Sequence, residues 1–349
     1  MKNIKQMELP RQITMGPGVL EKTPELVLKT ELGKRGYLVV DETTYEVAGR
    51  KVENALKKSG IDAAHSVIEN ANEKTVTKIR DKARSYDFLM GIGGGKCIDV
   101  AKSASFKENK SFISVPTAAS HDGISSSRAS IKGGGRKTSV EAKPPMAVIA
   151  DTLIIKDSPS KLTSAGCGDM IANYTAVLDW KLSRKEKNER YSEYAAALSK
   201  MSAKIVAENA EKIAEGEEEG ARKIVKALIS SGVAMSIASS SRPASGSEHL
   251  FSHALDRIAP KPALHGEQCA VGSIMMTKLH GKDWKSTRRS LKKLNCPTNA
   301  KELGIDEKYI IEALTKAHKI RPQRYTILKG GLSEEEAREL AKETKVISA

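Results

Sequence analysis

The sequence predicts an α/β fold in two parts, an N-terminal Rossmann-like parallel-sheet domain followed by an all-α C-terminal domain. Three observations predict it. From residue 36 to about 150, short β-branched runs alternate with amphipathic stretches, which is the pattern of βαβ units on a parallel sheet. After about residue 155 the pattern changes to long helical periodicity. The 349 residues also exceed the usual size of a single core, so two domains are natural.

Taken in order, the strands predicted are 36-GYLVVD-41, 87-DFLMGIG-93, 112-FISVP-116 and 146-MAVIAD-151, with helices near 44–59, 73–85 and 95–105. The segment 127-SRASIKGGGRKTSV-140 sets a glycine run between two short strand candidates and reads as a projecting hairpin. Helical periodicity then runs through 193-EYAAALSKMSAKIVAENAEKIAEG-216 and 221-ARKIVKALISSGVAMSIASSS-241, and the acidic run 215-EGEEEG-220 reads as a solvated turn between helices. Glycines and the change of period place the boundary near 151–162. The domains expected are therefore 1–155 and 156–349.

A composition of 39% hydrophobic and 29% charged residues with 12 prolines is that of a globular chain, not a disordered one. No apolar run is long enough for membrane insertion, and 1-MKNIKQMELPRQITMGPG-18 lacks the apolar core and cleavage site of a signal peptide, so a cytoplasmic location is expected. Cys97, Cys167, Cys269 and Cys296 are dispersed without a C-x-x-C pair, which argues against a zinc knuckle or a disulfide framework and makes them small buried hydrophobes. The net charge of +15 favours anionic partners: nucleic acid, an acidic membrane surface or phosphorylated small molecules. Basic residues are nevertheless spread through mixed helices such as 181-KLSRKEKNER-190, and aromatics make up only 4%, so the concentrated patch that nucleic acid requires is missing.

The run 91-GIGGGKCID-99 follows an apolar strand and precedes a helix starting near Gly95. Glycines admit a ligand close to the backbone and the helix N-terminus attracts a phosphate. Neither common template fits: Met90 and Cys97 stand where a Walker motif needs Gly and Ser or Thr, and Lys96 where a dinucleotide fingerprint needs Gly. Asp41, at the end of its strand, is placed to bind a ribose hydroxyl. In 115-VPTAASHDGISSSRASI-131, Pro116 stops a strand, Thr117 and Ser120 can offer hydroxyls over the strand ends, and His121 and Asp122 sit together among small residues.

The stretch 245-SGSEHLFSHALDRIAPKPALHGEQ-268 carries three of the seven histidines. With Ser245 as N-cap and Glu248 completing a capping box, a helix runs to a stop at Pro260. At about 100° per residue, Leu250, Phe251, Ala254, Leu255 and Ile258 form one face, while His249, His253 and Asp256 form the opposite one. A spacing of four residues puts the two rings roughly 6 Å apart along the axis, close enough to serve one ion, or an ion and its substrate. His265 follows the turn 259-APKP-262. Asp169, in 163-TSAGCGDMIAN-173, is a further oxygen donor, expected at the N-terminus of the helix after a tight approach by Gly166 and Gly168. Two imidazoles and a carboxylate suit zinc, without deciding which histidines bind.

With 16-GPGVLEKTPEL-26, 91-GIGGGKCIDVAK-102, 115-VPTAASHDGISS-126, 166-GCGDMIAN-173, 241-SRPASGSEHLFSHALD-256 and 265-HGEQ-268 in hand, the chain resembles the iron/zinc polyol dehydrogenases related to glycerol dehydrogenase and dehydroquinate synthase. PTAASHDGISS and SRPASGSEHLFSHALD point to the archaeal-type glycerol-1-phosphate branch. The resemblance implies a dehydroquinate synthase-like fold and a zinc-assisted, reversible reduction of dihydroxyacetone phosphate by NADH or NADPH to sn-glycerol 1-phosphate, the backbone of archaeal-type membrane lipids. By it, Gly95, Lys96, Cys97, Ile98, Asp99, Thr117, Ala118, Ala119, Ser120 and Ser126 meet the NAD(P) cofactor. Asp169, His249 and His265 hold one zinc ion per subunit, and Asp122, Asp169 and His253 meet the substrate. It also implies a homo-oligomer. Arg242 and the basic residues of 132-KGGGRK-137 are candidates for the substrate's phosphate. An unphosphorylated polyol as substrate, or a basic nucleic-acid-binding protein, are the alternatives.

Overall fold

The computed structural model describes residues 7–133 and 136–348. Its sheet has six strands, all parallel: β1 (Gln12–Gly16), β2 (Arg35–Val40), β3 (Asp62–Val67), β4 (Phe88–Gly93), β5 (Ser111–Pro116) and β8 (Ala147–Asp151), in the order β1-β8-β5-β4-β2-β3. The four interior strands are the four that the apolar runs predict. β1 and β3 are the two edges, QITMG and DAAHSV, each only partly buried; an edge strand needs no continuous apolar run, so neither stands out in the sequence.

Alternation along the interior strands divides their side chains between two cores. Leu38, Val40, Phe88, Met90, Ile113 and Val115 face the N-terminal helices, whereas Val39, Leu89 and Val148 share a core with the helix Gly95–Lys107 and with helices of the C-terminal half. That second core runs without a break from the sheet into the helical half. The other two strands, β6 (Arg128–Gly133) and β7 (Arg136–Glu141), form the expected antiparallel hairpin. Its base is anchored: Ala129 and Ile131 are buried, and Ser130 N–H donates to Asp99 Oδ2 at 2.9 Å.

Beyond Ser160 the chain is helical. The long helix Ser160–Lys187 packs against Glu193–Glu208, against Glu218–Ala238 and against His265–Leu279. The acidic run is a turn only at its start, because Glu218 already opens the next helix, where it accepts from Thr152 Oγ1 at 2.5 Å. Among the described residues, no helix is long and apolar enough to cross a membrane.

Candidate active site

Strand order reverses between β2 and β4, and such a switch point opens a crevice at the carboxyl ends of the strands. Asp41 ends β2 there. Gly93, with φ of 148°, ends β4 in a conformation that suits glycine, and Gly94 caps the helix Gly95–Lys107 without any side-chain hydrogen bond. The first-turn N–H groups of Gly95, Lys96 and Cys97 therefore border the crevice without a side-chain cap, and the His121 ring lies against Gly95, where a Cβ would sit 2.0 Å from its Nε2. Cys97 and Ile98 are buried; burial above all, helped by the charge of Asp41, pushes the Cys97 thiol up to about 12, so that side chain is inert filling. Asp41 is doubly engaged. Oδ1 accepts from Thr44 N–H at 2.8 Å and Oδ2 pairs with Lys96 Nζ at 3.0 Å.

The loop after β5 lies alongside. Thr117 N–H donates to Gly93 O at 3.1 Å, Ala118 and Ala119 are buried, and Ser120, His121, Asp122 and Ser126 line a cavity. His121 Nδ1 accepts from Gly123 N–H at 2.8 Å. Lys102, which sequence reading passed over, is fully buried and fastens this loop from below through Gly123 O (2.5 Å) and Arg128 O (2.7 Å). Its signal was there: it is the only charge besides Asp99 in the otherwise apolar or small run 97-CIDVAKSAS-105.

At the other end of the cavity Asp169, His249 and His265 converge. Asp169 Oδ1 is 3.5 Å from His249 Nε2 and 4.0 Å from His265 Nε2, and Cys269 Sγ is 3.6 Å from that same His265 nitrogen. All four donor atoms lie within 4.8 Å of one another. Each ligand-side Nε2 is backed through its ring by a partner at Nδ1, Glu248 Oε1 at 2.9 Å for His249 and Ser252 Oγ at 3.0 Å for His265. That outer bonding fixes ring orientation in the way metal-ligating histidines require. Asp169 and His249 are buried and His265 is partly exposed, and the donor set is one a divalent cation would fit. Cys269 is thus more than the small hydrophobe expected of it.

Asp122 adjoins the cluster: its N–H donates to Asp169 Oδ2 at 3.1 Å and its own Oδ2 accepts from Ser231 Oγ at 2.9 Å. Burial and the Asp169 charge push the Asp122 carboxyl up to about 7, against the pull of Ser231, His249 and Lys102. His249 is held well above its ordinary value: burial opposes its charge, but Cys269, Asp169 and Glu248 outweigh it. His253 goes the other way, lowered chiefly by burial and only partly restored by Asp256, 3.7 Å from its Nδ1. Its ring centroid is 6.4 Å from that of His249 and 5.5 Å from that of His265. One cavity of about 450 Å³ touches Gly94, Gly95, Lys96 and Asp99 at one end and Asp122, Asp169 and the three histidines at the other.

Three expectations need correction. Asp169 stands in the middle of the 28-residue helix Ser160–Lys187, not at a helix start. Gly166 and Gly168 do make the tight approach, but as helical residues: a Cβ on Gly166 would sit 1.9 Å from Ala119 O, and one on Gly168 would sit 2.2 Å from Gly266 O. Ser245 does not cap the histidine helix, which spans Ser247–Ile258 after Gly246. The cap comes from the long helix instead: buried Asp179 accepts from Ser247 N–H and Ser247 Oγ, both at 2.6 Å. Glu248 is thereby free to accept from Gly246 N–H (2.6 Å), Thr175 Oγ1 (2.7 Å) and His249. Finally, Arg242 is buried and spent on Glu189, Ser183 and Tyr325 O, and Lys132 is exposed on β6. The side chains of Arg136 and Lys137 lie outside the described residues.

The family model of iron-containing alcohol dehydrogenases matches residues 14–159. A glycerol dehydrogenase structure from Schizosaccharomyces pombe superposes with a TM-score of 0.83 at 18% identity, over 98% of this chain and 91% of that one. The chain thus shares the fold of that glycerol dehydrogenase, and residues 14–159 match the iron-containing alcohol dehydrogenases. The glycerol-1-phosphate dehydrogenase (NAD(P)+) of Methanosarcina acetivorans is 55% identical over 99% of this chain and 97% of its own length. That of Methanothermobacter thermautotrophicus is 53% identical over 98% and 99%. The chain belongs to the glycerol-1-phosphate dehydrogenase family.

Proposed function

We propose that this chain reversibly reduces dihydroxyacetone phosphate to sn-glycerol 1-phosphate with NADH or NADPH, using zinc at Asp169, His249 and His265. The observation that carries this reading is the single cavity that joins an uncapped helix N-terminus at a sheet switch point to a buried Asp–His–His cluster. We take residues 1–155 as the part that holds the nucleotide and 156–349 as the part that holds metal and substrate. When bound, the cation polarises the ketone and stabilises the developing alkoxide, and the reduced nicotinamide supplies the hydride.

The remaining tasks fall to the chain. First-turn N–H groups from Gly95 to Cys97 hold the nucleotide's diphosphate, and Asp99, Thr117 to Ser120 and Ser126 border its nicotinamide half. Asp122, braced by Ser231 and by its own N–H on Asp169, holds a substrate hydroxyl. Burial lowers the proton affinity of His253, so its ring in the protonated form gives that proton readily to the product oxygen and takes another from solvent, with Asp256 beside its Nδ1 holding the ring in place. Zinc is chosen because two imidazoles, a carboxylate and an open position form its usual catalytic set. Homo-oligomer formation belongs to the same reading; Tyr194 and Met201, exposed one above the other two turns apart on Glu193–Glu208, support it.

The test incubates zinc-loaded protein with dihydroxyacetone phosphate and NADH or NADPH and assigns the product's configuration. Oxidation of the nucleotide with formation of the sn-1 product is expected. No consumption, or the sn-3 enantiomer, would overturn the proposal.

A further inference from the structure

We propose that the substrate's phosphate is bound in an arginine-lined recess beside the metal cavity, by Arg321 from the C-terminal half and Arg128 from the hairpin of the N-terminal half. The inference rests on the reaction proposed above and adds the place of the anion.

The recess measures about 590 Å³ and is continuous with the metal cavity: Arg128, Ser139, Ser241, His253 and Arg321 line both. Among the described residues that line it are five arginines and a single carboxylate, Glu189. What each guanidinium already does separates them. Arg242 is bound to Glu189, and Arg324 donates to Ser241 Oγ (2.8 Å) and to Ser245 O, so both hold the fold. Arg257 is exposed at the rim. Arg128 donates through Nε and Nη2 to Ser139 Oγ (3.2 Å) and Ser139 O (2.8 Å), neutral acceptors that fix its plane and leave its charge offset only in part, by Glu141. Arg321 is half-buried, and among the described residues its guanidinium makes no hydrogen bond and no ion pair.

Half-burying a cation without a counter-charge is costly, and crowding several adds repulsion. Burial, then the charges of Arg128 and Arg257, lower the proton affinity of Arg321, the mark of cations facing one another across a space that lacks an anion. A phosphate monoester supplies that charge and matches the planar fork of a guanidinium. Ser241, whose oxygen accepts from Arg324, keeps its hydroxyl hydrogen for the anion. His253 stands between: its ring lines the recess and lies 5.5 Å from the His265 ring, so a short phosphorylated ketone with its carbonyl at the cluster passes His253 to reach the arginines.

Arg321→Gln and Arg128→Gln test this against matched substrates, dihydroxyacetone phosphate and dihydroxyacetone. Loss of one charged hydrogen-bonding partner lowers the ratio of kcat/KM for the two substrates about 100-fold in each variant, and Arg321→Lys recovers part of it. Inorganic phosphate should inhibit the wild-type enzyme competitively with dihydroxyacetone phosphate, and at least tenfold more weakly in Arg321→Gln. Zinc content and melting temperature show whether each variant is folded; if one is not, the other variant and the wild-type inhibition decide. If the wild-type enzyme leaves dihydroxyacetone phosphate unreduced, the proposed reaction fails. If it reduces it and the ratio moves less than threefold in the folded variants, the phosphate site alone is refuted. A change confined to NADPH over NADH would assign the arginines to the nucleotide's 2′-phosphate and refute it equally.

Discussion

Glu248→Gln should separate charge from shape in the metal cluster. Glu248 is fully buried and receives three donors: His249 Nδ1 (2.9 Å) and Gly246 N–H (2.6 Å) at Oε1, and Thr175 Oγ1 (2.7 Å) at Oε2. An amide keeps the first two at its oxygen. Its NH2 then faces Thr175, whose hydroxyl already has Ala172 O at 3.0 Å to donate to and turns to accept. No hydrogen bond need be lost, so stability should stay within about 1 kcal/mol of wild type. What is lost is the negative charge that makes the far nitrogen of His249 a better donor to a cation. Loss of such an outer partner costs about 10–100-fold in metal affinity, or about 1.4–2.7 kcal/mol. Competition with a zinc-chelating dye at fixed pH measures it, with a thermal melt of the same sample as control. Glu248→Ala, by contrast, strands Gly246 N–H and the His249 proton and should lose stability by about 1–3 kcal/mol for each. Zinc affinity within threefold of wild type in a folded Glu248→Gln protein would refute the role given to this carboxylate.

His249→Ala and His265→Ala should lose zinc and activity together, whereas His253→Ala should keep the metal, read by elemental analysis, and lose about 10²–10⁴ in kcat. Stripping the ion with a chelator should lower the melting temperature, since a buried Asp169 then faces the histidines without its cation; an unchanged melt would count against the site. Lys96→Ala should lower the preference for NADPH over NADH, measured as a ratio of kcat/KM, by roughly tenfold, because it unmasks the Asp41 carboxylate toward a 2′-phosphate. Gly166→Ala should cost about 3 kcal/mol or more, seen in denaturant melts, as its Cβ would overlap Ala119 O, 1.9 Å away.

What sequence reading reached, and what it missed, divides along the range of the interactions involved. Interior strands announce themselves because both faces are covered; the edges β1 and β3 do not. The glycine turn after β4 was legible from local pattern alone. So was the shared face of His249 and His253, but not their division of labour, which depends on Glu248 standing behind one ring and Asp256 beside the other. The motif S-x-x-E at Ser245 and Glu248 imitates a capping box. The real cap, Asp179, is 68 residues from Ser247 and nothing local reveals it. Gly166 and Gly168 read as a loop because each weakens a helix by about 1 kcal/mol, and only the backbones of Ala119 and Gly266 explain why the helix tolerates them. Arg242 and Arg321 look alike in sequence; Glu189 makes one of them structural.

The junction of cavity and recess has a kinetic consequence. The glycine turn lines only the cavity, Arg242, Arg257 and Arg324 line only the recess, and His253, Arg128 and Arg321 line both. A nucleotide seated at the turn leaves the arginine end open, so the small substrate can come and go while the larger one stays. Turnover should then follow a compulsory order, nucleotide on first and off last, with glycerol phosphate leaving by the side from which the ketone entered.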